Sequence, residues 1–166
     1  MRTLAFILTS CVVFLSCKKD TVKAGGRVEI YLLKTFQTVP GRCQVDAATA
    51  LLQDTPTVRD QDILAYSQTG CQFRLTEPAI QSVKTFKDFT PFAVTVDKQV
   101  IYYGFFKPGI SSSSCDHSIT MDIDWVSGDK ISLKLGYPGE LPGATIDDER
   151  NHQKLVATLN SQGKLK

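Results

Sequence analysis

The chain has 166 residues, of which 42% are hydrophobic and 22% are charged. These proportions are typical of a globular domain and argue against a disordered, collagen-like or coiled-coil protein. The 19 Lys and Arg residues nearly balance the 17 Asp and Glu residues, and neither sign forms a long block. Because nucleic-acid-binding domains normally carry a basic stripe, we expect no nucleic-acid partner. The length allows one compact domain and a targeting segment.

The first residues have the order of a secretory signal. One charged residue, Arg2, precedes the apolar run 4–15, and the small residue Ser16 and then Cys17 follow before the chain turns polar. The apolar run is shorter than the roughly 20 residues that a membrane-spanning helix needs. It therefore predicts a cleaved signal peptide at residues 1–16.

The segment FLSC at residues 14–17 resembles the lipobox of bacterial lipoproteins. In that family the cysteine is acylated and becomes the first residue of the mature protein. The resemblance thus implies lipidation at Cys17, followed by a tether over residues 17–26. A second match ends at Cys11, but it would leave an apolar stretch on the mature side. A plain secretory signal that ends in cysteine is the alternative.

The residues after the acylated cysteine bear on the location of the protein. The sequence CKKD at residues 17–20 resembles the start of lipoproteins from the Bacteroides and Flavobacterium group. In lipoprotein sorting, Asp directly after the cysteine retains a protein at the inner membrane, whereas Lys18 occupies this place here. The resemblance implies a lipid anchor in the bacterial cell envelope and favours the outer membrane, with the periplasmic or surface face left open.

The pattern of apolar residues and turn signals after the tether predicts alternating strands and helices. In chain order these are a strand at 28–34, an ambiguous segment at 45–53, a helix at 61–67, a strand at 71–76, a helix at 77–86, strands at 92–96, 99–107, 117–126 and 130–137, and a helix at 148–162. Short turns at 97–98 and 127–129 predict two hairpins. This mixture predicts a single α+β domain at residues 27–166, with a mainly antiparallel sheet and two or three helices packed on one face.

Several of these elements resemble, in the same order, those of the first periplasmic domain of SecD, an accessory protein of protein export. The matching segments are VRDQDIL at 58–64, CQFRLT at 71–76, the helix at 79–86, FAVTVDKQV at 92–100 and LVATLNSQGKL at 155–165. The resemblance covers residues 28–166 and implies a related fold with a capacity to contact unfolded polypeptide.

The chain departs from the SecD family at two places. Lys98 replaces the family's turn glycine, which costs about 1 kcal/mol in a left-handed conformation. Because no transmembrane helix follows Lys166, we expect no proton-driven translocation by this chain alone.

Residue types that carry chemistry are sparse. His117 follows Asp116, and neighbours on a strand point to opposite faces, so we do not expect this pair to form a dyad. His152 is expected to be partly packed on the last helix. The sequence has no CxxC, HxxxH or dense acidic pattern for a metal and no glycine-rich phosphate loop. We therefore predict no catalytic residue, no cofactor and no metal.

The strongest candidate for a binding surface is the aromatic run of Tyr102, Tyr103, Phe105 and Phe106. On a strand, Tyr103 and Phe105 face one way, and Tyr102 and Phe106 face the other. One set must line the core, and the other set, if exposed, forms an apolar patch suited to a peptide or protein partner. If both faces of the sheet are covered, the whole run is core.

Three cysteines belong to the predicted mature domain, namely Cys43, Cys71 and Cys115. In an oxidising envelope compartment they allow one disulfide and one free thiol. The sequence leaves all three pairings open.

These observations predict a membrane-anchored, non-enzymatic envelope lipoprotein that binds a polypeptide or another envelope protein. The SecD resemblance implies a link to protein export. Two alternatives stay open. One is an envelope hydrolase that uses His117 with an acidic residue, and the other is a structural subunit of an envelope complex.

Overall fold

The computed structural model of the protein describes residues 25–123, 128–140 and 142–166. Cys17, the predicted signal peptide and most of the predicted tether lie outside the described residues. The described strands are β1 (Val28–Thr35), β2 (Leu51–Leu52), β3 (Ile63–Ser67), β4 (Gln72–Leu75), β5 (Thr90–Val96), β6 (Gln99–Lys107), β7 (Cys115–Asp122) and β8 (Lys130–Tyr137), and the α-helices are α1 (Glu77–Val83) and α2 (Gln153–Ser161). No helix in the described ranges is long and apolar enough to cross a membrane.

All of these strands belong to one mixed sheet, in the order β2-β1-β5-β6-β7-β8-β4-β3. Neighbouring strands are antiparallel, except that β6 and β7 are parallel. The predicted α+β class with a mainly antiparallel sheet is therefore confirmed. The predicted hairpin of β5 and β6 turns at Asp97 and Lys98, which have positive φ angles of 52° and 64°. Two residues with positive φ are what a tight type I′ hairpin turn requires.

Both faces of the central strands are buried. On one face the two α-helices pack on the larger core, to which Ile80 of α1 and Leu155 of α2 contribute. On the other face, Val45 from the segment 36–50 joins Phe105 in a smaller core. Near-continuous apolar runs such as those of β5 and β6 are expected where a strand is covered on both sides.

This arrangement decides between the two alternatives for the aromatic run, an exposed patch and a buried core, largely in favour of burial. Tyr102, Phe105 and Phe106 are only 6%, 1% and 0% exposed, and Tyr103 is half-buried. The predicted alternation is observed, because Tyr102 and Phe106 join the larger core and Phe105 joins the smaller one. The run is buried on both sides because the segment 36–50 covers the face that the helices leave open.

The predicted helix at 61–67 is wrong. The segment forms a 3₁₀ turn, Asp60–Asp62, and then strand β3, which pairs with β4. The ring of Tyr66 lies 4.7 Å from that of Phe73 on β4. These cross-strand contacts outweigh the weak helical spacing of the segment, because strand formation depends mainly on packing against neighbours.

The last helix begins later than predicted. Residues 147–149 lie in a loop, and α2 begins at Gln153 and not at the predicted residue 148. The cap is His152, whose Nδ1 accepts a hydrogen bond from the main-chain N–H of Lys154 over 3.1 Å. The imidazole therefore has a structural role at the start of the helix.

The structure joins Cys43 to Cys115 in a disulfide, and Cys71 is a buried free thiol. Of the three pairings that the sequence left open, this one ties the segment 36–50 to the start of β7. The hydroxyl of Ser118 donates to the main-chain oxygen of Cys43 over 2.7 Å and adds a second tie at the same point. Cys71 lies in the larger core, away from the disulfide.

Both ends of the sheet are covered by other parts of the same chain. Outside β1, the main-chain N–H of Ile30 donates to the oxygen of Val58 over 2.9 Å, beside the two-residue strand β2. Outside β3, Tyr66 donates to Lys164 and accepts from Lys166 through main-chain hydrogen bonds of 2.8 Å. The outer ends of the sheet therefore offer a strand from another molecule only short segments, the two-residue strand β2 and the residues bridged to β1 and β3.

Candidate functional site

Two neighbouring central strands separate over half of their length. The ladder between β6 and β7 runs only from Gly104–Ile119 to Lys107–Asp122. Residues 99–103 of β6 thus have no ladder partner on the β7 side among the described residues. On β7, the register against β8 shifts before Ile119, which marks a bulge at 116–118. A bulge bends its strand and interrupts pairing, and here it opens the sheet between β6 and β7.

A cleft of about 410 Å³ occupies this opening, and we call it the split cleft. Its strand walls include Tyr102, Tyr103 and His117, and the segments 42–47 and 145–149 complete it. These two segments lie on opposite faces of the sheet, since Val45 packs in the smaller core and Ile146 packs against the larger one. The volume lies within the range of known ligand sites.

Tyr102 lines the split cleft with a hydroxyl that has no hydrogen-bond partner in the described part of the chain. Burial raises the pKa of this hydroxyl well above its usual range, so it is a neutral donor at physiological pH. The neighbouring hydroxyl of Tyr66, by contrast, donates to the main-chain oxygen of Arg150 over 2.7 Å. A buried polar group without a partner is uncommon in folded proteins, which makes this hydroxyl a donor that could still gain an acceptor.

His117 and Asp116 form a close contact, which corrects the expectation that they point apart. Nδ1 of His117 lies 2.8 Å from Oδ1 of Asp116, although the two groups are not aligned for a hydrogen bond. The bulge at 116–118 breaks the regular alternation of side chains, so adjacent residues approach each other. The contact with His117, and further off the charge of Arg42, lowers the pKa of Asp116.

The segment 145–149 gives the split cleft an acidic wall. Asp147 and Glu149 line the cleft, and neither forms an ion pair within the described ranges. The acid between them, Asp148, pairs instead with Arg150 over 2.7 Å. Two carboxylates thus line the cleft against the single guanidinium of Arg42, and Asp116 adds a carboxylate beside the lining residue His117.

An apolar groove of about 460 Å³ adjoins the split cleft, and we call it the aromatic groove. Phe36, Phe89 and Phe105 line it, and the ring centroids of Phe36 and Phe89 lie 6.2 and 6.0 Å from that of Phe105. Phe36 is 37% exposed. Arg42 lines both depressions, so the two form one continuous surface beside the disulfide.

The loop 108–114 beside the aromatic groove is held by a buried lysine. Nζ of Lys107 lies 2.7 Å from Asp88, 3.1 Å from the hydroxyl of Ser111 and 3.7 Å from the ring centre of Phe89. Burial raises the pKa of Asp88, but hydrogen bonds from Lys107 and Ser111 outweigh it, and the net shift is downward. An ion-paired ammonium is not a general base, so this serine is not an activated nucleophile. The network fixes the loop.

The structure distributes the predicted patch over the two depressions. Tyr102 and Tyr103 line the split cleft, Phe105 lines the aromatic groove, and Phe106 belongs to the larger core. Sequence reasoning missed the residues that loops contribute, namely Phe36, Arg42, Phe89, Asp147 and Glu149. No periodic pattern links these loops to the strands. The sequence contained one indication that the segment around residue 42 contacts a strand, namely Cys43, but the sequence left its disulfide partner open.

Within the described residues, no group of three or more His, Cys, Asp or Glu side chains is placed to hold a metal ion. No protein-family model, curated protein or solved structure matches this chain. The resemblances to bacterial lipoproteins and to the periplasmic domain of SecD therefore stay predictions. Function has to be inferred from the geometry of the two depressions.

Proposed function

We propose that the chain is a lipid-anchored, non-enzymatic lipoprotein of the bacterial envelope, placed at the outer membrane, whose domain binds a polypeptide or protein partner. The observation that carries the proposal is the aromatic groove, an open apolar depression lined by Phe36, Phe89 and Phe105. Aromatic side chains in a pocket with polar surroundings are typical of the residues that dominate binding energy at protein interfaces. The SecD resemblance supports polypeptide as the partner.

The lipid anchor is tested by feeding cells an alkyne-tagged fatty acid and measuring its incorporation into the protein. We expect the wild-type chain to be labelled and Cys17→Ala to lose the label, because Cys17 is the proposed acceptor. Cys11→Ala is the matched control and should remain labelled. Labelling that survives Cys17→Ala but disappears in Cys11→Ala would contradict this assignment.

The aromatic groove is tested with an unfolded probe, a reduced and alkylated model protein, and the lipidated chain in detergent. We expect Phe36→Ser to weaken binding about fivefold, which corresponds to about 1 kcal/mol, because it removes part of the apolar lining. Leu64→Ser is the control, since Leu64 is 41% exposed against 37% for Phe36 but lies on β3 at the end of the sheet. Equal binding by both variants and the wild type would count against the groove.

The contact between Asp116 and His117 favours one second candidate, an envelope hydrolase. A carboxylate close to an imidazole is a recurring arrangement in hydrolytic sites. An activity screen of the wild type against His117→Ala separates the two functions, with His152→Asn as a control that preserves a helix cap. Hydrolysis that His117→Ala abolishes and His152→Asn retains would replace the binding proposal.

A further inference from the structure

We infer that the split cleft receives an extended polypeptide segment as an added strand between β6 and β7, with a Lys or Arg side chain of that segment held by Asp147 and Glu149. This inference rests on the proposed polypeptide-binding function. It gives that function a place in the fold and a chemical preference.

The first support is the unpaired main chain of β6. Residues 99–103 pair with β5 on one side and have no ladder partner on the other side among the described residues. Five residues of strand span about 17 Å and present alternating N–H and C=O groups, which are the groups that recognise an extended peptide. The outer ends of the sheet offer only short segments, two residues in β2 and the C-terminal residues beside β3, whereas the split offers five residues of β6.

The second support is the hydroxyl of Tyr102. Tyr102 lines the split cleft, its hydroxyl is buried in the larger core behind the cleft, and no described residue accepts its hydrogen bond. An inserted segment whose main-chain carbonyl reaches this hydroxyl would supply the missing acceptor. A buried donor that gains a partner on binding favours the bound state, because a buried polar group is costly only while it is unpaired.

The third support is charge. Asp147 and Glu149 line the cleft without an ion pair in the described chain, and Asp116 contacts the lining residue His117. The opposing cation is Arg42, which already lies near Asp116. A basic side chain complements this excess of carboxylates, whereas an acidic one meets repulsion.

The experiment measures binding of fluorescent nonapeptides to the full lipidated chain in detergent micelles. The reference peptide alternates Thr and Val around one central Lys. A second peptide has Glu at the centre, and a third has the Lys but carries N-methyl groups on alternate main-chain nitrogens. We expect the Lys peptide to bind at least about tenfold more tightly than the Glu peptide, because a like-charge contact is costly. We expect N-methylation to abolish binding.

Variants of the acidic wall test whether its carboxylates cause the preference for the Lys peptide. Glu149→Gln combined with Asp147→Asn should reduce the preference for Lys over Glu to near unity. Asp54→Asn removes an exposed carboxylate outside the cleft and should retain the preference. Amide hydrogen exchange should show protection of residues 99–103 when the Lys peptide is bound. Circular dichroism checks that each variant is folded.

The outcomes separate the two proposals. If the Lys and Glu peptides bind equally, or protection appears away from residues 99–103, the inserted strand is overturned. Sensitivity of the unfolded probe to Phe36→Ser in that case would leave the proposed function standing. If neither the nonapeptides nor the unfolded probe bind, both proposals are overturned.

Discussion

Gly104 occupies a position in β6 that tolerates no side chain. A Cβ atom there would meet the main-chain oxygen of Ile119 and lie 2.5 Å from Cζ of Phe92. We expect Gly104→Ala to lower the free energy of unfolding by about 2–3 kcal/mol, because a packed core relaxes poorly around added volume. Urea denaturation measures the change. Gly139→Ala, where nothing lies within 4 Å, is the control and should be close to neutral.

Substitution of Asp88 and substitution of Lys107 should lower the free energy of unfolding by different amounts. Lys107 is fully buried, whereas the side chain of Asp88 is 30% exposed. Asp88→Asn leaves the ammonium buried without a counter-charge, and we expect a loss of about 3–5 kcal/mol in the free energy of unfolding. Lys107→Met replaces the cation with an apolar side chain and should cost less than about 2 kcal/mol. Equal losses in urea denaturation would contradict this account of the pair.

Side-chain direction along β6 was predictable from the sequence, but burial was not. Strand alternation placed Tyr102 and Phe106 on one face and Phe105 on the other, as observed. Whether the second face was covered depended on the segment 36–50, which has little regular structure and so no hydrophobic period. A period reports which residues share a face and not what lies opposite that face.

At the scale of elements, the disulfide should be the main tie of the segment 36–50. Cys43 and Cys115 are 72 residues apart in the sequence, and closing a loop of that length removes chain entropy worth about 4 kcal/mol from the unfolded state. We expect Cys43→Ser with Cys115→Ser to lower the free energy of unfolding by about 2–4 kcal/mol. Cys71→Ser is the thiol control and should change it less.

Peptide mapping without reductant checks the same assignment directly. We expect one linked pair of peptides containing Cys43 and Cys115, with Cys71 open to alkylation after unfolding. A linked peptide that contains Cys71 would contradict the observed pairing.

Elements with strong local signals were predictable, and elements set by tertiary contacts were not. The bounds of β6 and β8 match the predicted strands at 99–107 and 130–137, because alternation and clear turns mark both ends. The strand at 63–67 was missed because its pairing with β4 and the C-terminal residues decides its conformation. The early start predicted for α2 failed because a histidine cap was not anticipated.

On the scale of the whole molecule, Asp60 links the start of the sheet to the C-terminus. Its carboxylate accepts hydrogen bonds from the main-chain N–H of Val28 over 2.8 Å, from Gln162 over 2.7 Å and from Lys164 over 2.9 Å. Burial raises the pKa of Asp60, but these hydrogen bonds outweigh it and the net shift is downward. The ionised carboxylate therefore stabilises the fold.

The downward shift fixes how stability depends on pH at this residue. The stabilisation of the fold by the Asp60 carboxylate is fully present above the unfolded-state pKa of about 4. This stabilisation is lost as the pH falls through the lower folded-state pKa. We expect Asp60→Asn to cost about 2 kcal/mol at pH 7, and the difference from wild type to shrink at pH 3. Urea denaturation at both pH values tests this, with Asp54→Asn as a control expected to show no such difference.

The candidate site could be predicted only in part, because it forms where distant segments meet. Tyr102, Tyr103 and Phe105 were candidates because they belong to the aromatic run. His117 was a candidate because histidine is a common catalytic residue. Nothing in the sequence predicts the bulge in β7 that opens the split cleft. The bulge is recognised only from the shift in the register of β7 against β8. The acidic wall at 145–149 overlaps the predicted start of the last helix at 148, so no site was predicted there.

The sheet also sets a distance between the proposed anchor and the proposed binding surface. The described chain begins at residue 25, just before β1, and Phe36 directly follows β1. Eight residues of strand span about 26 Å. With Cys17 as the proposed anchor, the aromatic groove lies at the end of β1 away from the tether.

If the proposed lipid anchor holds the protein at a membrane, the short ends of the sheet have a consequence there. Lipid anchoring confines molecules to two dimensions and raises their local concentration, so neighbouring copies collide often. A long unpaired edge strand would then act as a template for stacking and fibril growth. Here the C-terminal residues occupy the edge of β3, and the segment around Val58 occupies that of β1. The outer ends of the sheet therefore offer neighbouring copies only short segments to pair with.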